Sequence, residues 1–295
     1  MNWWKSLEGK VSLSEPLRNY TTFKIGGKAK FFIEPKDIKN LKLLLNLVKK
    51  YRIPFFVIGS GSNILVNDKG IAGIVLRLNS SYFKKISFHN NQLNVGSSVL
   101  LNKLVLFTQD HGLSGAEFLA GIPGTVGGAL VMNAGVSGKV KSIGDLVEDV
   151  TVMDYDGNIK TLQKKEIEFG YRESGLSKYI ILSTRLRLVR KSKKEIKRRI
   201  KKYLDYRRTT QDLSHPSAGC IFKNPAGYSA GRLIDLCGLK GKRIGDACIS
   251  LKHANFIINL GHSKASNVLR LMDLVEKKVK DRFNITLRPE IKIWQ

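Results

Sequence analysis

Apolar positions in the first 80 residues alternate between short runs and helical spacing. The run at 31–33 predicts a strand, and Glu34-Pro35 after it predicts a helix start with proline in the first turn. Between Ile38 and Val48 the apolar residues recur at three- and four-residue steps, which gives a helix one apolar face. Further strands are predicted at 55–58, 64–66 and 74–78. This order of strands and one helix indicates a small α/β unit at 1–80.

The pattern changes after residue 80, and later elements fall into two groups. The first group comprises strands near 93–95, 150–154 and 180–189, a helix near 99–111 and a long glycine-rich stretch. The second comprises a basic helix over 191–208, a helix near 229–237 capped by Ser229, strands at 247–249 and 256–259, and a long helix opening at Ser263. We therefore expect an α+β protein with three units: 1–80, 81–190 and 191–295.

Composition places the chain among globular proteins. It has 42% hydrophobic and 25% charged residues, and no stretch reaches the ~18 consecutive apolar residues of a membrane helix. The N-terminus lacks the layout of a signal peptide, so a cytoplasmic location without membrane insertion is expected. The three cysteines form no CxxC pair, and none of the five histidines belongs to an HExxH motif, so no metal site is expected.

The net charge of +27 is compatible with three interpretations. It suits a protein that binds nucleic acid, an enzyme whose ligands are anions, or a chain from a lysine-rich proteome. The densest segment, 191–208, contains ten Lys/Arg and two acidic residues, but the remaining positive charge is spread along the whole chain. RNP-type motifs and zinc knuckles are absent. We therefore favour proteome bias and expect no nucleic-acid partner.

Two glycine-rich segments are candidates for ligand binding. The loop GSGSNILVND at 59–68 is not GxGxxG, because position 64 is Ile and a strand follows. Its N–H groups and its Ser and Asn side chains could form an anion nest, although a tight turn between strands explains the same residues. The stretch at 121–138 has six glycines interleaved with apolar residues, which favours a ligand wall over a flexible linker.

Three side chains in the second half of the chain could perform chemistry. Arg172 in FGYRES could grip a carboxylate, Cys220 in SAGCIFKNP could deliver a proton, and Glu290 follows Arg288-Pro289 at a strand entry. A thiol has an unperturbed pKa of ~8.5, which suits proton delivery near neutral pH. The alternatives are a surface arginine, a buried small cysteine and a salt bridge to Arg288. Spacing alone does not decide between these interpretations.

The motifs as a set resemble the UDP-N-acetylenolpyruvoylglucosamine reductase family of peptidoglycan precursor synthesis. The match runs from about Asn19 almost to the C-terminus, with its motifs in family order. The shared motifs are NYTTFKIGG, GSGSNILV, GLSGAEFLAGIPGTVGGALVMNAG, FGYRES, AGCIFKNPAGYSAGRLID and LRPEIKIW. The short distance from FGYRES to the strand at 180–189 is typical of the shorter, type II form. Cys220 is a departure, since serine is commoner at its position in the family.

The resemblance implies a fold and a chemistry. The expected fold is an FAD-binding fold of the vanillyl-alcohol-oxidase (PCMH) type in two subdomains, followed by a C-terminal α/β substrate-binding domain. The expected cofactor is FAD, the reductant NADPH, and the substrate UDP-N-acetylglucosamine enolpyruvate. An FAD-linked oxidase of the same fold acting on another substrate, and a basic nucleic-acid-binding protein, remain the alternatives. The protein is expected to be a monomer.

The resemblance also assigns roles to particular residues. Arg172 and Glu290 would stabilise an enolate-like state, Cys220 would be the proton donor, and all three would meet at one flavin edge. Residues expected to bind FAD are Gly59, Ser60, Gly61, Ser62, Asn63, Gly121, Pro123, Gly124, Gly127, Gly128, Asn133, Ala134 and Gly135. Residues expected to bind substrate are Tyr171, Lys223, Asn224, Tyr228, Lys240 and His253.

Overall fold

The computed structural model describes residues 3–89, 92–136 and 141–295. Gly138, at the end of the glycine-rich stretch, lies outside the described residues. The described α-helices are α1 Ile38–Tyr51, α2 Leu101–Asp110, α3 Val126–Val131, α4 Ile143–Leu146, α5 Lys193–Thr210, α6 Ala230–Leu236 and α7 Ala265–Phe283.

The described strands alternate with these helices along the chain. They are β1 Gly9–Pro16, β2 Lys28–Pro35, β3 Phe55–Ile58, β4 Ile64–Val66, β5 Ile71–Arg77, β6 Ile86–His89, β7 Gln92–Gly96, β8 Leu113–Ser114, β9 Gly135–Val136, β10 Lys141–Ser142, β11 Val147–Met153, β12 Ile159–Gln163, β13 Phe169–Gly170, β14 Glu173–Ser174, β15 Ile180–Leu186, β16 Val189–Arg190, β17 Ser217–Cys220, β18 Arg243–Ile244, β19 Ala247–Ile249, β20 Phe256–Asn259 and β21 Lys292–Trp294.

The chain divides into two compact units, each built from separate stretches of sequence. The first unit contains the chain up to Leu13, Phe31–Gly59 and Gly73–Asp205. The second contains Ser14–Lys30, Ser60–Ala72 and Tyr206–Gln295. The boundary between them falls within α5, after Asp205. The division into 1–80, 81–190 and 191–295 stays a prediction.

The first unit has two apolar cores. It contains most of a four-stranded sheet in the order β1-β2-β5-β3, and a five-stranded sheet in the order β12-β11-β15-β7-β6. One core forms between α1 and the first of these sheets, with Leu41, Leu44 and Ile74 fully buried. The other includes Leu93, Leu104 and apolar residues of α3. Burial of these side chains is the main force holding the unit together.

The start of α1 differs from the prediction. The strand β2 continues through Pro35, and the helix begins at Ile38. Asp37 caps it by accepting a hydrogen bond from the N–H of Asn40 at 2.9 Å, and the hydrogen bonds from Asn40 lower the pKa of Asp37. The prediction was wrong because proline also suits the end of a strand, whereas the Asp37 side chain supplies the cap.

The second unit is built around a four-stranded sheet and the long helix α7. The sheet has the order β17-β20-β19-β18, and a separate parallel pair joins β4 to β21. The core contains Leu65 of β4 together with Val268, Leu271 and Val275 of α7. The segment 60–72 is therefore part of the second unit, although it lies far from residues 206–295 in the sequence.

The helix α7 begins at Ala265, not at Ser263 as predicted, because a distant residue caps it. Asp68 accepts hydrogen bonds from the N–H groups of Ala265 at 2.7 Å and Ser266 at 3.0 Å. The N–H of Ser263 instead donates to Oδ1 of Asn259 at 3.1 Å. A carboxylate at a helix N-terminus satisfies free N–H groups and interacts favourably with the helix dipole.

Candidate active site

In the first unit, the two glycine-rich segments lie against each other at Gly59 and Thr125. A Cβ added to Gly59 would lie 2.7 Å from Oγ1 of Thr125. That hydroxyl accepts a hydrogen bond from the N–H of Gly128 at 3.2 Å. The close approach requires glycine at position 59, and it brings the start of the first loop to the middle of the second segment. One extended ligand could therefore contact both.

The glycine-rich stretch combines buried and accessible positions. Gly127 is packed on Ser97, to whose carbonyl it donates its N–H at 2.8 Å. Gly121, Pro123 and Gly128 are exposed. The other residues of this stretch that are expected to bind FAD are less accessible. Gly124, Ala134 and Gly135 are half-buried, and Asn133 is buried. The stretch thus has a packed side and an open side, as a ligand wall requires.

The loop from Ser60 to Asn63 carries donors suited to a phosphate. Within the described ranges, the backbone N–H groups of Ser60, Gly61 and Ser62 donate to no protein group. Ser60 and Ser62 are half-buried and add two hydroxyl groups. Gly61 has φ +61°, and a Cβ there would lie 2.1 Å from the carbonyl oxygen of Tyr20. This donor set fits the pyrophosphate of FAD.

Arg172 lies in a hairpin that is fastened to the end of the glycine-rich stretch. The strands β13 and β14 pair on either side of Tyr171 and Arg172. Nη1 of Arg172 donates to the carbonyl of Gly135 at 2.9 Å, and Nδ2 of Asn133 donates to the carbonyl of Gly170 at 2.8 Å. The structure therefore brings Arg172 and the residues 133–135 into one neighbourhood of the first unit.

The backbone at this hairpin adopts conformations that side chains other than glycine rarely take. Arg172 has φ +59° and Asn133 has φ +42°. Such positions cost stability unless the surrounding contacts enforce them, and they cluster at functional sites. Tyr171 is exposed, with its ring 5.6 Å from the guanidinium carbon of Arg172. The strain indicates that the direction of the Arg172 side chain matters.

In the second unit, strand pairing brings Cys220 and Glu290 together. The backbone N–H of Glu290 donates to the carbonyl of Ile221 at 2.7 Å. Asn63 lies in the first glycine-rich loop. Its Nδ2 donates to the carbonyl of Glu290 at 3.1 Å and holds the same segment in place. Cys220 and Glu290 are both half-buried. Segments that lie 70 residues apart in the sequence thus pair through their backbones next to Cys220.

The remaining substrate candidates also belong to the second unit. Asn224 accepts a hydrogen bond from the N–H of Ala230 at 2.9 Å, so it supports the start of α6. Nζ of Lys240 donates to Asp235 at 2.7 Å. Lys223 is half-buried and Tyr228 is exposed. Their contacts with a substrate stay predictions.

The surroundings of His253 favour the neutral form of its side chain. Burial lowers the pKa of its imidazole, and the charge of Lys240 lowers it further. The N–H of Asn255 donates to Nδ1 of the ring at 3.3 Å. Asn255 itself was missed by the sequence analysis. Its buried amide holds Phe222 near Cys220, a role that no local pattern indicates.

Neither a metal cluster nor a membrane span is found in the described part of the chain. Over residues 3–89, 92–136 and 141–295, no three His, Cys, Asp or Glu side chains are grouped as metal ligands. In the same ranges no helix combines the length and the apolar character needed to cross a bilayer.

Comparison with known families agrees with this geometry. A model described as FAD binding domain matches residues 29–163, and one for the C-terminal domain of UDP-N-acetylenolpyruvoylglucosamine reductase matches 211–294. A solvent-stable cholesterol oxidase aligns over 62% of this chain at a TM-score of 0.50 and 14% identity, which concerns the fold alone. The matched domains and the fold define an FAD-containing oxidoreductase with an FAD-binding fold of the vanillyl-alcohol-oxidase type.

Individual relatives identify the family. UDP-N-acetylenolpyruvoylglucosamine reductase of Anoxybacillus flavithermus is 43% identical over 97% of this chain and 94% of its own. Reductase 2 of Symbiobacterium thermophilum is 42% identical over 97% and 92%. The crystal structure of the Thermus caldophilus reductase superimposes with a TM-score of 0.82 at 38% identity, covering 98% of this chain and 100% of that one. The chain belongs to the UDP-N-acetylenolpyruvoylglucosamine reductase family, and the resemblance seen in its motifs is confirmed.

Proposed function

We propose that this chain reduces UDP-N-acetylglucosamine enolpyruvate to UDP-N-acetylmuramate with NADPH, as a step in peptidoglycan precursor synthesis. Family membership supports the substrate. The observation that carries the proposal is the backbone pairing of Glu290 with Ile221, which joins the segment of the proposed hydrogen-bond donor to the segment that follows Cys220. An oxidase of the same fold acting on another substrate gives no reason for this arrangement.

The two glycine-rich segments of the chain would hold the cofactor. The N–H groups and hydroxyls at 60–62 would bind the pyrophosphate, and the open side of 121–135 would face the flavin ring. Bound FAD would supply hydride, taken from NADPH, to the methylene carbon of the enolpyruvyl group. NADPH would react and leave before the sugar enters.

The protein side chains would handle the charge and the proton. Hydride addition leaves negative charge on the carbon that bears the carboxylate and on the carboxylate itself. The Arg172 guanidinium would stabilise this charge, and a protonated Glu290 would donate a hydrogen bond to it; a preorganised group of this kind contributes several kcal/mol. Cys220 would give its thiol proton to that carbon, and the resulting thiolate would regain a proton from solvent.

A deuterium experiment tests this function. Purified protein with FAD should oxidise NADPH only when the enolpyruvyl sugar is supplied. In deuterated water, the product should carry solvent deuterium at the carbon bearing the carboxylate and the NADPH-derived hydrogen at the methyl carbon. Oxidation of NADPH without the sugar, or no product at all, would contradict the proposal.

We further propose that the enzyme works as a cytoplasmic monomer.

A further inference from the structure

Asn255 extends the sheet of the second unit at the point where Cys220 lies. Cys220 is opposite Phe256 at the end of the pairing between β17 and β20. The next residue, Ile221, donates its N–H to the carbonyl of Asn255 at 2.9 Å. The next hydrogen bonds are made by the side-chain amide of Asn255. The N–H of Phe222 donates to Oδ1 of Asn255 at 3.0 Å, and Nδ2 of Asn255 donates to the carbonyl of Phe222 at 2.8 Å.

The other edge of the same short strand is paired with the segment that carries Glu290. The carbonyl of Ile221 accepts from Glu290 at 2.7 Å, and the N–H of Lys223 donates to the carbonyl of Arg288 at 2.8 Å. Phe222 itself bridges to Pro289. Residues 221–223 therefore form a central strand between the Asn255 amide and the residues 288–290.

This arrangement depends on the Asn255 amide, which is buried where water does not take over its hydrogen bonds. Asn255 is 3% exposed and Phe222 is 1% exposed. Loss of the amide would leave the buried N–H and carbonyl of Phe222 without partners, which is costly enough to move the strand. Because the strand joins Cys220 at one end to Glu290 at its edge, a shift would move the thiol relative to the carboxyl.

We infer that Asn255 is a positioning residue for the reduction of the enolpyruvyl group. The inference rests on the proposed function, because it assigns Asn255 to the placement of Cys220 and Glu290. Asn255 would act through the backbone of Ile221 and Phe222, with which it forms its hydrogen bonds. Misplacement of reacting groups by about 1 Å lowers a rate by roughly 10²-fold, so the step in which Cys220 delivers its proton should be sensitive to the amide.

The substitution Asn255→Asp changes the hydrogen bonding of this side chain without changing its size. A protonated carboxyl has the same shape as the amide, accepts from the N–H of Phe222 and donates to its carbonyl. An ionised carboxyl has no proton to donate and repels that carbonyl. The rate at which the enolpyruvyl sugar reoxidises reduced flavin should fall at least tenfold at high pH and recover as the pH is lowered. Reduction of the flavin by NADPH should stay within twofold of wild type.

A matched control is available at the other end of β20. Asn259 is also buried, at 2% exposure, and its Nδ2 donates to the carbonyl of Phe23 at 3.0 Å. Asn259→Asp introduces the same charge at the last residue of β20, whose side chain bonds to Phe23, Gly261 and Ser263 and to none of the residues 221–223. It should lower the melting temperature as Asn255→Asp does, while the flavin-reoxidation rate stays near wild type at every pH where the protein is folded.

The outcomes decide between positioning and stability. Equal reoxidation rates and pH profiles for the two variants would overturn the inference, as would a rate for Asn255→Asp that does not recover at low pH. If Asn255→Asp does not fold, Asn255→Ser serves instead, with slow reoxidation at all pH values expected and a wild-type rate contradicting the inference. Failure of the wild-type protein to reduce the sugar would overturn the proposed function and is visible before any variant is made.

Discussion

The N–H of Glu290 donates a 2.7 Å hydrogen bond to the carbonyl of Ile221, the residue that follows Cys220. This bond joins two distant motifs, AGCIFKNP and LRPEIKIW, into one piece of structure. It gives the resemblance a physical basis, since the thiol and the carboxyl are held by the same short strand.

Replacement of Cys220 should separate the two halves of the reaction. In Cys220→Ala, NADPH should still reduce the flavin, but turnover of the sugar should fall by about 10²–10⁴-fold because the proton donor is lost. Stopped-flow absorbance of the flavin measures both steps. Cys220→Ser should restore much of the second step. Cys237→Ala is the control, since this cysteine contacts the carbonyl of Lys278, and both steps should stay unchanged. Loss of both steps in Cys220→Ala would mean that the cysteine is structural.

Arg172 should affect the second step through charge and through direction. Arg172→Lys keeps the charge but not the planar guanidinium, and Arg172→Ala removes both. We expect a loss of about 10-fold for the lysine variant and roughly 10²–10³-fold for the alanine variant in sugar turnover. The step should be measured with the flavin already reduced. A wild-type rate in Arg172→Ala would remove this residue from the chemistry.

The first glycine loop should determine FAD affinity. Gly61→Ala places a Cβ 2.1 Å from the carbonyl of Tyr20 at φ +61°, so the loop must shift and its N–H groups lose their alignment. Loss of one charge-assisted hydrogen bond costs about 1.5–3 kcal/mol, or roughly 10–100-fold in the dissociation constant. Titration of the apoprotein with FAD measures the change. Gly157→Ala is the control, because its φ is +86° but the nearest atom, Cγ of Lys42, is 3.7 Å away. An unchanged affinity in Gly61→Ala would exclude the loop from the FAD site.

Much of the fold could be predicted locally, but the pairing of distant segments could not. The strands at 55–58, 64–66, 247–249 and 256–259 were predicted to the residue, because short apolar runs between turn residues define them. The parallel pairing of Ile64 with Lys292 has no local pattern. For the same reason the start of α7 was misplaced, since its cap comes from Asp68.

The candidate site shows the same limit. The glycine loops, Arg172, Cys220 and Glu290 could be proposed from the sequence because each lies in a motif. Asn255 was missed because its amide pairs with Phe222, which lies 33 residues earlier in the chain, and a lone Asn before a strand predicts no such contact.

Asp68 should stabilise the second unit, although it lies far from residues 206–295 in the sequence. Asp68→Ala removes both hydrogen bonds to the first turn of α7, and the expected loss is about 1–2 kcal/mol in the free energy of unfolding. Denaturant unfolding measures it. Asp273→Ala, at an exposed position on the same helix, should change stability by no more than ~0.5 kcal/mol. Equal effects of the two substitutions would contradict the capping role.

The pH dependence of stability should contain a contribution from His253. Its pKa is lowered in the folded state by burial, so the unfolded chain binds a proton more readily. The stabilisation is therefore fully present above the unfolded pKa of about 6.5 and is lost as the pH falls from there towards the lower folded pKa. Melting temperatures between pH 8 and about pH 5 should fall less steeply for His253→Gln than for wild type. Parallel curves would show that His253 is not buried as described.

The central claim is that reduced flavin in this protein passes its electrons to the enolpyruvyl sugar. The most direct measurement is the visible absorption spectrum of the purified, FAD-loaded protein in the absence of oxygen. NADPH should bleach the flavin absorbance, and UDP-N-acetylglucosamine enolpyruvate should restore it in proportion to the amount added, while UDP-N-acetylglucosamine should not. A protein that cannot be loaded with FAD, or whose reduced flavin is not reoxidised by the enolpyruvyl sugar, would contradict the account.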